Sequence, residues 1–315
     1  ATSCLSAFPT SPRVESIDPT PNKQPTPSSL GKLSAPDMPR PRHSDFAATM
    51  SVRFAILSLL CCVSNAARPF ADRDELKAEV KKYCSDALSY DVAKYGTIED
   101  WDVSRVASMY QLFVYQTECD PNVAAWDVGK VTNFARMFDG AARFNQNLSE
   151  WNTSSGVKFY SMFNSAKAFD GDLSRWDVSS GEKFGSMFYR ASSFDQDISG
   201  WDVSSGRGFD FTFYQATSFN RDLSRWNVAS GLDFRGMFDG ATSFDQDISG
   251  WDVSSGVKYT KMMYGATSFN QDISQWDVSA GLEFNQMFLG AERFRQDLSS
   301  WPAAATGAAS FCPAP

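Results

Sequence analysis

The stretch Asp247-Ile248-Ser249-Gly250-Trp251-Asp252-Val253-Ser254-Ser255-Gly256 decides how this chain is read, because variants of it return at one fixed interval. All nine tryptophans keep that register: Trp101, Trp126, Trp151, Trp176, Trp201, Trp226, Trp251, Trp276 and Trp301 lie 25 residues apart. A strict period of this size is the signature of a stacked-repeat architecture. Three residues before each Trp stands an aliphatic one (Ile98, Val123, Leu148, Leu173 and their successors), and two after each Trp up to Trp276 stands Val, with Thr153 in one unit. Period-2 alternation around Trp-Asp-Val predicts a short strand that turns Trp and Val inward and their neighbours outward.

The remainder of the unit has a different period. Phe134, Met137, Phe138 and Ala141 stand at i, i+3, i+4 and i+7, which predicts a short helix, and Phe144 closes the apolar set. The set returns as Phe159, Met162, Phe163, Ala166 and Phe169, and again as Phe284, Met287, Phe288, Ala291 and Phe294. One unit cannot bury so many aromatics alone, so neighbours must stack. The expectation is an α/β repeat solenoid, a leucine-rich-repeat-like stack of short parallel strands and short helices over residues 95–301, with about eight units.

Outside the array the composition changes. Residues 1–49 are rich in Pro, Ser and Thr with no apolar period, which reads as a disordered extension or as upstream sequence read through ahead of Met50. Residues 50–66 carry Arg53, an apolar run from Phe54 to Val63 and the small residues Ser64-Asn65-Ala66, the pattern of a cleaved secretory signal peptide. The run is too short for a membrane span, which needs about 20 residues. Residues 67–94 place Leu76, Val80, Cys84, Leu88 and Val92 on one helical stripe, an N-terminal helical cap for the first layer of the array. Residues 302–315 form a small, polar tail without the apolar run of a lipid anchor, and no transmembrane segment is expected.

Of six cysteines, Cys4, Cys61 and Cys62 precede the cap and Cys312 lies in the tail. Cys119 occupies the register position of Phe144, Phe169 and Phe194, so it should point inward beside the cap, where Cys84 can face it. A Cys84–Cys119 disulfide is expected in an oxidising compartment; the alternative is a set of buried thiols in a chain that is not secreted.

The unit Phe269-Asn270-Gln271-Asp272-Ile273-Ser274-Gln275-Trp276-Asp277-Val278-Ser279, with Met-Phe-x-x-Ala upstream, resembles the BspA-like leucine-rich repeat of bacterial surface antigens, mycoplasma lipoprotein-associated proteins and many microalgal proteins. Tyr95-Gly96-Thr97-Ile98-Glu99-Asp100-Trp101-Asp102-Val103-Ser104 is similar to the way such arrays begin. Thr212, Met263 and Cys119 depart from the pattern. The resemblance implies a scaffold for adhesion or protein binding at the cell surface, with no enzyme activity and no cofactor.

The residues point the same way. The only histidine, His43, lies ahead of the expected mature chain, which excludes Ser-His and Cys-His nucleophilic catalysis and His-ligated metal sites there. Asp102, Asp127, Asp177, Asp202, Asp252 and Asp277 repeat one register position, and a catalytic pair would be singular where a ladder is structural. Each Asp-x-Ser segment should close on itself by hydrogen bonds, with divalent-cation binding between adjacent carboxylates as the functional alternative. Beyond residue 66 the chain carries a net charge of −10, which argues against nucleic acid or an anionic membrane as partner.

Two functions stand. One is a secreted or cell-surface module that binds protein or glycan through the open face of the sheet. The other is an extracellular-matrix or cell-wall component with no discrete ligand. The residue before Trp varies (Glu150, Arg175, Gly200, Arg225, Gly250, Gln275), which favours a binding face of Glu150, Arg175, Asp202, Arg225, Asp252 and Gln275. Asn147 and Asn152 head the only N-x-Ser/Thr sequons beyond residue 66 and are the expected glycosylation sites, Asn152 the more open of the two.

Overall fold

The computed structural model describes residues 68–86 and 90–306. The extension, the signal segment, Leu88 and most of the tail lie outside the described residues. Helix α1 (Arg73–Ser85) begins at Asp72, whose carboxylate accepts the N–H groups of Asp74 and Glu75, and places Asp74 and Glu75 in its first turn, where the helix dipole favours negative charge. It buries Leu76 and Val80. A one-turn helix α2 (Val92–Tyr95) and a 3-10 turn (Ile98–Asp100) then lead into Trp101. Phe70 stacks on Tyr95 at 4.3 Å and lies 5.1 Å from the Trp101 ring, so the cap covers the first layer with aromatic surface. Cys84 and Cys119 are joined in a disulfide with Cα atoms 5.4 Å apart, tying α1 to the first repeat.

From Trp101 each repeat lies on the next. The Trp rings form a column with centroids 6.1–6.4 Å apart and planes within 14° of parallel. From Trp126 to Trp276 each indole N–H donates to the carbonyl of the aliphatic residue one repeat earlier, Trp126 to Ile98 at 2.8 Å, Trp176 to Leu148 at 2.8 Å and Trp226 to Ile198 at 3.0 Å. The Trp therefore fills the core and satisfies its one polar atom on the layer before it, as a buried Trp must. Three further columns, through Phe134–Phe159–Phe184, Phe138–Phe163–Phe188 and Phe144–Phe169–Phe194, stack at 5.4–6.0 Å. Nearly every member is fully buried, so the core is a bundle of aromatic columns running through all layers.

The backbone departs from expectation in two places. No strand forms at Trp-Asp-Val; the residues bridged in parallel are instead Ser108, Asn133, Lys158, Lys183, Gly208, Asp233, Lys258 and Glu283, seven residues after each Trp. No helix forms between Trp101 and Pro302 either. Where Phe134–Ala141 was expected to be helical, Arg136 and Gly140 have φ of 55° and 73°, and one left-handed residue every fourth position is incompatible with a right-handed helix. The segment is a succession of turns. Met137 and Ala141 N–H groups close back on Phe134 and Phe138 carbonyls, and the intervening Phe134, Arg136, Phe138 and Gly140 N–H groups donate forward to Lys158, Tyr160, Met162 and Asn164 of the next repeat at 2.7–3.0 Å. Every second amide thus binds the adjacent layer, which is how the repeat satisfies its backbone without helix or long strand.

The turn after Trp keeps the Gly that the sequence repeats. A Cβ at Gly181 would fall 2.5 Å from the Phe184 ring and 2.8 Å from the Val178 carbonyl, so only glycine lets that ring close over the turn. Thr212, at a Met position, is buried and donates its hydroxyl to the Phe209 carbonyl at 2.7 Å.

Candidate interaction surface

The acidic residues flanking each Trp are held locally. Asp102, Asp177 and Asp252 each accept the N–H and hydroxyl of the Ser two residues on, the hydroxyl at 2.6 Å. These serine bonds hold the carboxyls of Asp202, Asp252 and Asp277 below the ordinary range, the hydroxyl contributing more than the amide. A second set accepts the backbone N–H two residues on, Asp172 from Ser174 at 2.8 Å and Asp247 from Ser249 at 2.9 Å. Among the described residues no group of three or more His, Cys, Asp or Glu is placed to hold a metal ion.

The six residues expected to form the binding face are all exposed. They flank the Trp in the turns and do not lie on the bridged segment, because the bridges run seven residues further along. The proposed open sheet face is therefore misplaced, and these residues form a separate exposed strip. Within that strip Glu150 and Arg175 pair with each other across adjacent repeats. Asp202 and Arg225 share a shallow depression of about 310 Å³ floored by Gly200. Asp252 is engaged with Ser254, and Gln275 donates to the Ser274 hydroxyl at 3.2 Å.

Two larger depressions lie elsewhere. One, of about 790 Å³, opens on the bridged segment around Gly185 and Gly208. The other, of about 850 Å³, runs from Tyr115 to Thr242 across several layers and includes Arg190 and Gln215. Beside it Tyr189 and Tyr214 stack at 4.3 Å, with the Arg190 guanidinium over both rings.

Residues 83–191, 157–238, 182–263 and 229–311 each match the family described as Mycoplasma protein of unknown function, DUF285. The chain belongs to this family. No curated protein and no solved structure matches it. Membership of DUF285 accords with the repeats, since its four overlapping matches together cover residues 83–311, the stretch that holds all nine tryptophans. Among the described residues of this DUF285 chain no helix is long and apolar enough to cross a membrane.

Both sequon asparagines are exposed. Each accepts the N–H of the residue two further on, Asn147 from Ser149 at 2.8 Å and Asn152 from Ser154 at 3.2 Å.

The sequence reading missed a ladder that joins the layers directly. The side-chain oxygens of Asp120, Asn145, Asp170, Asp195, Asn220, Asp245 and Asn270 each accept the backbone N–H of the residue 25 positions on, at 2.7–2.9 Å. The signal was present: from residue 120 to residue 270 this position, immediately after the buried Phe (Cys119 in the first unit), is always Asp or Asn, the two short side chains that offer a carbonyl-type acceptor. Arg295 ends the series as a donor.

Proposed function

We propose that this chain is a secreted or cell-surface scaffold of the BspA-like leucine-rich-repeat type, a solenoid that binds a protein or glycan partner through its exposed columns and performs no catalysis. One contrast carries the reading. The core columns repeat nearly the same residue layer after layer, whereas the bridged column, exposed at Lys158 and Lys183 and half-buried elsewhere, reads Ser108, Asn133, Lys158, Lys183, Gly208, Asp233, Lys258 and Glu283, changing sign or size at almost every step. A matrix element built for uniform stacking has no use for that variety, while a binding surface is made of it. The strip of Glu150, Arg175, Asp202, Arg225, Asp252 and Gln275 offers a second varied surface of the same kind.

The test is capture on a glycan array and on a panel of purified cell-surface proteins by the secreted chain. It is repeated with Glu150, Arg175, Arg225 and Gln275 changed to Ser, and separately with Lys158, Lys183 and Lys258 changed to Ser. Capture that disappears with one set assigns the surface. Capture unaffected by both, or none from the unaltered chain, defeats the binding reading in favour of a matrix component.

A further inference from the structure

The depression on the bridged segment is made by two missing side chains. Gly208 occupies the bridged column between Lys183 and Asp233, and Gly185 occupies the column two residues further on, directly before Asp210. The Asp210 carboxylate lies over the bare Cα of Gly185: a Cβ there would sit 2.6 Å from its Oδ1. It is half-buried, and among the described residues no cation reaches it within 4.0 Å.

The two cations whose charge acts on Asp210, Arg235 and Lys258, both contact Asp233. Arg235, next in the same column, grips Asp233 with three contacts of 2.8–3.2 Å, and Lys258 approaches Asp233 at 4.0 Å. Burial, and then the neighbouring Asp233 charge, push the Asp210 carboxyl above its usual range. A half-buried carboxylate without a counter-ion gains most from a ligand that supplies one. Leu232 and Val257 line the same depression, and Leu232 is 44 % exposed, so an aliphatic stem has a surface to lie on. Lys183 and Arg207 stand at the rim, where they can meet carbonyls or carboxylates of the same ligand.

We propose that this depression binds an extended peptide through a lysine side chain, its stem on Leu232 and Val257 and its ammonium on the Asp210 carboxylate. The proposal deepens the interaction-scaffold reading and rests on it for biological meaning, but the site can be tested alone. The probe is a synthetic acetylated and amidated pentapeptide, Ser-Lys-Ser-Glu-Ser, titrated into the full secreted chain and followed by amide NMR shifts. The same peptide with its lysine acetylated serves as the uncharged control.

Shifts confined to the residues around Gly185 and Gly208, at least tenfold weaker binding of the acetylated peptide, and a similar loss in Asp210→Asn are expected. Gly208→Lys should also abolish binding by filling the depression. It should fold, because Lys158, Lys183 and Lys258 occupy the same column and a Cβ at Gly208 meets only Asp210 Oδ1, at 3.4 Å. Equal binding of both peptides, or binding unchanged in the two variants, overturns the site. Absence of peptide binding with partner capture intact overturns the site and leaves the scaffold reading standing.

Discussion

The cap and the repeat array both cover flat aromatic layers, and they do so by different chemistry. In the cap each contact occurs once. Glu75 accepts the Ala71 N–H at 2.8 Å and the Tyr95 hydroxyl at 2.7 Å, with Lys94 and Arg68 close by, and one disulfide fixes α1. In the array the contacts that join the layers recur: the indole bond, the stacked rings, the forward amide bonds and the Asx ladder return from one layer to the next. Loss of one contact in the cap removes a unique tie, whereas in the array it perturbs one rung of a column whose neighbours persist. Stability in the array should therefore behave as a sum over layers and their interfaces.

The largest expected effect lies inside the array. Trp201→Ala removes a ring stacked on Trp176 and Trp226 and the bond to the Leu173 carbonyl, and should cost roughly 3–5 kcal/mol in chemical denaturation. Arg225→Ser, at an exposed position in the neighbouring layer, should stay within about 0.5 kcal/mol. Similar losses at both sites would break the assignment of Trp to the core columns.

Next comes the cap. Reducing Cys84–Cys119 should destabilise by about 2–4 kcal/mol, and the effect should fall on exchange protection in α1 and the first layers before the later ones. Uniform loss along the whole array would mean that cap and array unfold as one unit.

The two regions should also respond oppositely to acid. The Ala71 amide, then the Tyr95 hydroxyl, hold the Glu75 carboxyl at about 2 against an ordinary 4.5. Its stabilising contribution is present above pH 4.5 and is lost as pH falls toward 2, so Glu75→Gln should destabilise at neutral pH and matter little near pH 2. Asp239, in the array, is 7 % exposed, and burial pushes its carboxyl up to about 6 against an ordinary 3.8. Its contribution is favourable below pH 3.8 and is lost as pH rises through 6, so Asp239→Asn should stabilise at pH 7 to 8 by on the order of 2 kcal/mol and have no benefit below pH 4. Asp139 has the same register position but is paired with Arg136 at 2.7 Å, whereas the residue three before Asp239 is Gly236. Melting temperatures of the two variants across pH 2–8 decide the signs.

The smallest effect is a single rung. Asn145→Ala removes the acceptor for the Asp170 N–H and should cost about 1 kcal/mol, less than any change in the aromatic columns.

The period, the inward columns and the Cys84–Cys119 proximity were all legible because they rest on spacing, and spacing survives any local conformation. The conformation between the columns was not. A helix and a run of i-to-i+3 turns bring the same residues inward, so Phe134, Met137, Phe138 and Ala141 could not distinguish them. The distinguishing hint was glycine at Gly140, Gly240, Gly265 and Gly290, a position with positive φ in each of these layers, where a helix interior would be weakened by about 1 kcal/mol. At Ser165, Arg190 and Gln215 the same position holds ordinary residues in the same conformation, which hid the pattern. The depression at Gly185 and Gly208 was invisible for another reason: it arises from two glycines in neighbouring columns of adjacent repeats, and which columns adjoin depends on where the bridges fall.

The register of those bridges is the central claim, and paired cysteines test it most directly. Lys158→Cys with Lys183→Cys joins residues bridged in parallel, at roughly the 4.8 Å strand spacing, within disulfide reach. Lys158→Cys with Lys258→Cys places the thiols four layers apart. Mild oxidation followed by peptide mapping should give an intramolecular disulfide in the first pair and none in the second. Absence of a link in the first pair, or equal linking in both, would contradict the stacking described here.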